Sequence, residues 1–222
     1  IYYQLNCLYY PLIQNNIQDW IEYGLVGGTK REEGGIRWWY SADVYETVPL
    51  TRSSSSNRSA AQTYALNHVY NPSSNYPDYS NNGGDCTNFV SQCLEAGGWT
   101  KVNNGGSNSD YSWFHPIGST MPSTSSRSRS WTSAYYLYRF LDANPSRAVP
   151  ASYPLSSYEI GDVVQLYNTS YSPAWHHSMI ITYASGGTIK VTYRNASGVG
   201  SPNDNVNVNY FSDVKKFWKI VY

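Results

Sequence analysis

The strongest constraint on the fold is the order of its segments, because helix-like patterns come first and strand-like patterns come last. Apolar residues recur at helical spacing in residues 58–70, 86–96 and 130–145. Later runs rich in β-branched and aromatic residues are typical of strands, and they cover residues 161–168, 176–184, 188–195, 205–211 and 217–222. This segregation predicts an α+β domain with helices packed on an antiparallel sheet, not an alternating α/β fold.

The first 55 residues follow a different pattern. Residues 12–25 carry Ile and Trp at helical spacing, and residues 36–50 are typical of a strand. The Ser-rich run at 51–59 is typical of a link between units. We therefore expect a segment of unknown role at residues 1–55 and a separate domain at 56–222.

Cys86 follows a Gly-Gly-Asp turn directly and begins one of the helical patterns. Asp85 is a favourable N-cap, so free amide hydrogens and the positive end of the helix dipole would surround the sulfur and favour the thiolate. The Asp85 carboxylate acts the other way, since a negative neighbour raises the pKa of a thiol. A nucleophilic Cys86 therefore needs a base, and backbone N–H groups at the helix start, including its own, could hold an oxyanion.

His177 is the better candidate for that base. Period-2 alternation along residues 176–184 puts His177 on the same face as Met179 and Ile181, the more apolar face, and His176 on the other. A cysteine at a helix N-terminus and a histidine on a sheet form the arrangement used for acyl transfer to a thiol.

The group that would orient His177 depends on the hairpin register. A three-residue loop at 185–187 pairs Ala184 with Thr188 and brings Asn195 opposite His177, whereas a shift of one residue brings Arg194 there. The three-residue loop also matches the apolar faces of the two strands, which favours Asn195.

Charge and composition narrow the class of partner. Lys plus Arg and Asp plus Glu both number 15, so the chain carries no electrostatic footprint for nucleic acid or an anionic membrane. Charged residues make up only 14%, whereas Tyr and Trp number 23 and 8, a composition compatible with contact to sugars or cell-wall polymer. Three cysteines do not suggest a disulfide scaffold. The absence of an N-terminal Met, of a leader and of an apolar run of spanning length predicts a mature or trimmed chain without a transmembrane segment.

The run "DCTNFVSQCLEAGGW" resembles the signature of the putative amidase domain family, a branch of the NlpC/P60-like and papain-like cysteine hydrolases. "YALNHVYNPSSNYPDY" before it and "GDVVQLYN" with "HHSMIIT" after it resemble the family in order and spacing, over residues 58–222. The resemblance implies a papain-like fold, Cys86 as nucleophile, His177 as base, and cleavage of peptide-type amide bonds in bacterial cell wall by a secreted or envelope-associated enzyme. The sequence departs from the family where a histidine is common in the next strand, because Arg194 and Asn195 stand there.

Other chemistry-bearing residues receive more modest expectations. We expect His115 and Trp113, in "DYSWFHP", together with Asp85, to border the oxyanion or substrate site, and Cys93 to be an inert core residue. No metal site is expected, because His176, His177 and an isolated cysteine do not make a zinc ligand set, and no cofactor is implied. The alternative to a cysteine amidohydrolase is a catalytically degenerate module that binds at the cell surface, an idea motivated by Arg194.

Overall fold

The structure is a computed structural model. It describes residues 29–33, 36–40, 55–151, 157–195 and 201–222.

The chain divides into two compact units, Ile1–Arg52 and Ser53–Tyr222. In the first unit, strands β1 (Thr29–Glu33) and β2 (Ile36–Tyr40) form an antiparallel hairpin. The second strand coincides with the start of the strand expected at 36–50. The helix expected at 12–25 lies outside the described residues.

The four helices described in the second unit precede its six described strands, as the sequence predicts. They are α1 (Ser55–His68), α2 (Cys86–Ala96), α3 (Arg129–Thr132) and α4 (Ala134–Ala143). The single helix expected at 130–145 is therefore two helices. Ser133 separates them because its backbone is extended, with φ −124° and ψ 129°.

The six strands of this unit form one antiparallel sheet. They are β3 (Ala148–Ala151), β4 (Val163–Tyr167), β5 (Trp175–Ser185), β6 (Thr188–Tyr193), β7 (Asn203–Asn207) and β8 (Val214–Ile220). Their spatial order is β3-β8-β4-β5-β6-β7, and every neighbouring pair is antiparallel. The α+β class is thus confirmed.

Strands β7 and β3 depart from the sequence prediction in different ways. The pattern at 205–211 predicts a strand throughout, but β7 ends at Asn207 and a 3₁₀ turn, Val208–Tyr210, follows. Strand β3 has no counterpart in the sequence prediction, and it contains Pro150, which cannot donate to a ladder. The position of β3 at the edge of the sheet makes that proline tolerable.

Hydrophobic clusters cover both faces of the sheet. The cluster under the helices joins Phe89, Val90 and Leu94 of α2 to Val163, Ile180 and Trp218 of the sheet. The cluster on the opposite face contains Met179, Ile181, Val191, Tyr193 and Phe211. Each fully buried side chain of this size contributes roughly 1.5–3 kcal/mol. Successive side chains of β5 point alternately into the two clusters, because both faces of this central strand are buried.

A buried ion pair ties α1 to the sheet. The Arg58 guanidinium lies 2.8 Å from Asp162 Oδ1 and donates to the carbonyl oxygens of Ile160 and Ile220 at 2.9 and 2.8 Å. Asp162 Oδ1 also accepts from the backbone N–H of Ile220 at 2.9 Å. One arginine thus fixes the first helix to the turn before β4 and to the end of β8.

Among the described residues, no helix has the length and apolar character needed to cross a bilayer.

Candidate active site

The turn before α2 directs Cys86 towards the sheet. Gly83 and Gly84 have φ of +92° and +109°, values that favour glycine, and the N–H of Gly84 donates back to the carbonyl of Tyr79 at 3.3 Å. Cys86 then opens α2 and is 5% exposed. Its sulfur lies 3.6 Å from the Thr87 hydroxyl, which lies 3.1 Å from the Ser178 hydroxyl of β5.

The sulfur of Cys86 lies near the position where the pairing between β5 and β6 ends. Pairing between the two strands ends at Ile180↔Thr192. The N–H of Ile181 donates to Asp162 on the β4 side, so alternation turns the N–H of Ser178 towards the β6 side. That N–H faces the Cys86 sulfur and lowers the pKa of the thiol. The nucleophile candidate therefore sits beside the His177–Ser178 peptide.

Burial outweighs the helix dipole at this thiol. Desolvation raises the pKa of Cys86, the hydrogen bonds from Thr87 and from the Ser178 N–H lower it in part, and the charge of Asp85 raises it again. The preformed thiolate expected from the helix position is thus not favoured. The raised pKa favours the neutral thiol near pH 7.

The backbone amides at the start of α2 are already hydrogen-bonded. The carbonyl oxygen of Asn195 accepts from the N–H of Asp85 at 2.8 Å and from that of Cys86 at 3.1 Å. The Cys86 N–H, expected to be an oxyanion donor, is therefore occupied by the chain itself.

Asp85 precedes the helix as predicted, but its side chain does not cap it. Its Oδ1 accepts from the N–H of Tyr79 and from the Asn88 amide, both at 2.8 Å, and its Oδ2 lies 3.1 Å from Arg194 Nη1. Burial raises the pKa of Asp85 to about 6, although the Arg194 charge opposes the shift. The carboxylate supports the turn instead of facing a substrate.

The hairpin between β5 and β6 has a different loop from the predicted one, yet the same register beside the site. Ser185 pairs with Thr188, so the loop is the two residues Gly186 and Gly187, with φ of +56° and +79° as a type I′ turn requires. A bulge at Thr182 then shifts the pairing by one residue. The resulting pairs, Ile181↔Val191 and Ile180↔Thr192, are those that the three-residue loop predicts.

His177 is fully buried on the apolar face that the alternation predicts. Its ring packs edge-to-face on Tyr193, with centroids 4.9 Å apart, and lies 6.5 Å from Phe211, both in the cluster opposite the helices. Among the described residues neither ring nitrogen has a hydrogen-bond partner. Burial, followed by the charge of His176, lowers the pKa of His177 to about 3, so the imidazole is neutral near pH 7.

The predicted hydrogen bond between His177 and Asn195 is not formed. The Asn195 side-chain oxygen accepts from the Ser80 hydroxyl at 2.9 Å. Arg194, the other candidate, is 6% exposed and lies 2.9 Å from Asp78 as well as 3.1 Å from Asp85. Both residues therefore contact the turn before Cys86, not the imidazole.

His176 lies on a different side of β5. Its Nε2 is 3.4 Å from Asp213 Oδ1, and its ring stacks on Tyr171 with centroids 4.0 Å apart. The bulge between Leu166 and Tyr167 of β4 makes His176 the unpaired residue there. His177, packed on Tyr193 of β6, lies on the face of β5 that is opposite the helices.

The family model described as "Putative amidase domain" matches residues 55–221. The chain belongs to this family. No curated protein and no solved structure matches the chain.

Two residues that were expected near the substrate, Trp113 and His115, are buried in the interior of the amidase domain. Trp113 is fully buried, donates to the Ser91 hydroxyl at 3.1 Å and packs on Trp131. His115 is also buried, and its Nδ1 lies 2.6 Å from the Pro116 carbonyl, so Nδ1 carries the proton and Nε2 accepts from the Tyr79 hydroxyl at 2.8 Å. Burial lowers the pKa of His115 to about 4. As placed, Trp113 is a core residue, and His115 supports the chain before Cys86.

The remaining polar residues of the site were missed by sequence reasoning. Asp78, Ser80 and Ser178 approach Cys86 only through the turn and the sheet, and their residue types are common in loops and strands. Cys86 and Cys93 are both free buried thiols, whereas Cys7 lies outside the described residues. Within the described ranges of the amidase domain, no three His, Cys, Asp or Glu side chains are grouped to hold a metal ion.

Proposed function

We propose that this amidase domain is a cysteine amidohydrolase of the NlpC/P60-like, papain-like type. Its substrates would be peptide-type amide bonds in bacterial cell-wall material, outside the cytoplasm. Family membership supports amide hydrolysis in general. The observation that carries the cysteine mechanism is the placement of Cys86 at the start of α2, where the Thr87 hydroxyl lies 3.6 Å from the Cys86 sulfur and 3.1 Å from the hydroxyl of Ser178, the residue that follows His177.

The proposed reaction is acyl transfer. A neutral His177 accepts the thiol proton of Cys86 while the sulfur attacks the carbonyl carbon, which forms a C–S bond. The C–N bond then breaks, and the imidazolium returns the proton to the leaving amine. Water attacks the thioester, the C–S bond breaks, and the products are a carboxylic acid and the regenerated thiol.

Burial of both Cys86 and His177 favours a resting state in which the thiol and the imidazole are both neutral. Burial raises the pKa of Cys86 and lowers that of His177, so both shifts disfavour a preformed thiolate–imidazolium pair. His177 is then present in the form that can accept a proton. Charge develops only as the sulfur attacks.

In the proposed mechanism, Asn195 contributes through its backbone carbonyl. Its carbonyl accepts from the amides of Asp85 and Cys86 and thereby fixes the place of Cys86. The side-chain oxygen is bound to Ser80, so the amide holds the loop and does not orient the imidazole.

The test compares Cys86→Ser with Cys93→Ala on purified protein and cell-wall peptides. We expect Cys86→Ser to lower the release of free amines at least roughly a thousandfold. Cys93→Ala should retain turnover, since Cys93 is a fully buried core residue seven positions further along α2. Substantial hydrolysis by folded Cys86→Ser protein would exclude Cys86 as the nucleophile.

One observation favours a second candidate, a degenerate module that binds cell-wall polymer without cutting it. The N–H of Cys86, the natural oxyanion donor, already donates to Asn195. This candidate predicts cosedimentation with cell-wall material that Cys86→Ser leaves unchanged, together with no release of amine by the parent protein.

A further inference from the structure

Arg194 is a buried cation held between two carboxylates. Nη2 lies 2.9 Å from Asp78 Oδ2, and Nη1 lies 3.1 Å from Asp85 Oδ2. Arg194 is 6% exposed and Asp85 is fully buried, so solvent cannot replace either partner at that end of the bridge. A two-ended bridge of this kind suits a guanidinium, whose donors are fixed in one plane.

The bridge ends at the residue that precedes the nucleophile. Asp85 is bonded to Cys86 in the chain, and its Oδ1 holds the N–H of Tyr79 at 2.8 Å. The next residue after Arg194 is Asn195, whose carbonyl holds the amides of Asp85 and Cys86. Arg194 and Asn195 together therefore fasten the chain after β6 to both ends of the turn at 79–86.

The two glycines of the turn contribute no side-chain packing. Gly83 has a positive φ, and a side chain built there would meet nothing within 4 Å. A turn with two consecutive glycines loses more conformational entropy on ordering than other sequences do. The buried Tyr79 of the turn and the polar contacts from Arg194 and Asn195 therefore hold Cys86 in place together.

We propose that Arg194 is a positioning residue for Cys86. By bridging Asp78 and Asp85, it holds the turn so that the sulfur stays beside Ser178 of β5, the residue that follows His177. The proposal rests on the proposed function for its catalytic meaning, whereas the position of the thiol can be measured without any substrate.

The experiment uses Arg194→Gln and Arg194→Lys in the full chain, with Arg58→Lys as the matched control. Arg58 is an equally buried arginine paired with a fully buried aspartate, but its partners are the turn before β4 and the end of β8. Each protein is assayed for kcat and KM on cell-wall peptides and for the rate at which iodoacetamide alkylates Cys86, read by peptide mass analysis.

We expect Arg194→Gln to lower kcat about ten- to a hundredfold, as loss of an orienting partner does elsewhere, with KM changed less than about threefold. Cys86 alkylation should rise at least about fivefold, because the released turn opens more often. Arg194→Lys should recover part of both values, since a lysine can pair with one carboxylate at a time. Arg58→Lys should change neither value in folded protein.

Each contrary result has a definite meaning. Unchanged alkylation and kcat in Arg194→Gln would overturn the proposal, as would equal changes in Arg58→Lys, which would indicate a general loss of stability. If Arg194→Gln does not fold, Asp78→Asn tests the same bridge from its exposed end and should raise Cys86 alkylation about twofold. No rise in that variant would also overturn it. A parent protein without hydrolysis would defeat the proposed function alone, because the alkylation measurements would still report on the position of Cys86.

Discussion

The backbone carbonyl of Asn195 accepts a hydrogen bond from the backbone N–H of Cys86, at 3.1 Å. The chain that follows β6 thus holds the first residue of α2 by a main-chain contact, which depends on where Asn195 lies and not on its side chain. For the position of Cys86, the backbone position of residue 195 consequently matters more than its side chain.

We predict that Asn195→Ala changes hydrolysis less than about threefold and lowers the free energy of unfolding by about 0.5–1.5 kcal/mol. The substitution removes the hydrogen bond from Ser80 but leaves the carbonyl in place. Turnover assays and urea unfolding check it, and Ser80→Ala should give a similar stability loss. A drop of roughly ten- to a hundredfold, as loss of a group that orients the imidazole would cause, would contradict this expectation.

His177 should make the fold sensitive to acid. Its pKa is about 3 in the fold and near 6.5 in an unfolded chain, so the unfolded state binds more protons between these values. The contribution of a neutral His177 is then complete above pH 6.5 and is lost as the pH falls towards 3. At pH 4.5 the loss is roughly 2–3 kcal/mol.

Urea unfolding of the parent, His177→Gln and His177→Phe at pH 7 and pH 4.5 measures this effect. Both variants should lose less stability than the parent on acidification. Asp85 acts in the opposite direction, because its pKa is raised to about 6 and its protonation below that pH favours the fold. The comparison is therefore between variant and parent, and parallel losses in all three proteins would refute the role of His177.

The two described cysteines should differ in reactivity, and both should be slow. Burial raises the pKa of the Cys86 thiol, and it raises that of Cys93 well above the ordinary value. At pH 7.5 we expect iodoacetamide to modify Cys86 at least about ten times faster than Cys93, yet more slowly than a free cysteine. The Cys86 rate should keep rising above pH 8.5, the ordinary thiol pKa. Cys86 alkylation faster than that of free cysteine at pH 7.5 would indicate a preformed thiolate.

Removal of one partner of the buried pair between α1 and the sheet should be costly. Arg58→Met leaves Asp162 buried without its guanidinium and should lower the free energy of unfolding by about 3–5 kcal/mol. The double variant Arg58→Met with Asp162→Asn should recover part of that loss, because no buried charge is then unpaired. Urea titrations of the three proteins decide this, and a loss below about 1 kcal/mol for the single variant would contradict it.

Local sequence patterns were sufficient for the elements that carry the site. The glycines and Asp85 before Cys86 mark the start of α2, and the period-2 pattern puts His177 on the apolar face of β5. The register beside the site was also predicted correctly, although the loop was wrong. A two-residue turn and a bulge at Thr182 together produce the same shift as the three-residue loop.

Contacts between distant segments account for what the sequence did not reveal. The neutral state of the site depends on burial, and Phe211, which packs near His177, is 34 positions further along the chain. The bridge from Arg194 to Asp78 spans 116 positions, so no local pattern reports it. Trp113 was expected beside the substrate but packs in the core. Indole rings occur in both places, so the residue type alone does not distinguish them.

The place of β8 in the sheet has a consequence for how the protein is made. This strand follows every other described element of its unit, yet it lies between β3 and β4 in the interior of the sheet. While the ribosome is still synthesising residues 214–220, β4 has β5 as its only partner strand and β3 has none. The edge of β4 in the nascent unit therefore stays unpaired until β8 emerges from the ribosome. During this interval the unit is most prone to aggregate, and a chaperone would protect it best.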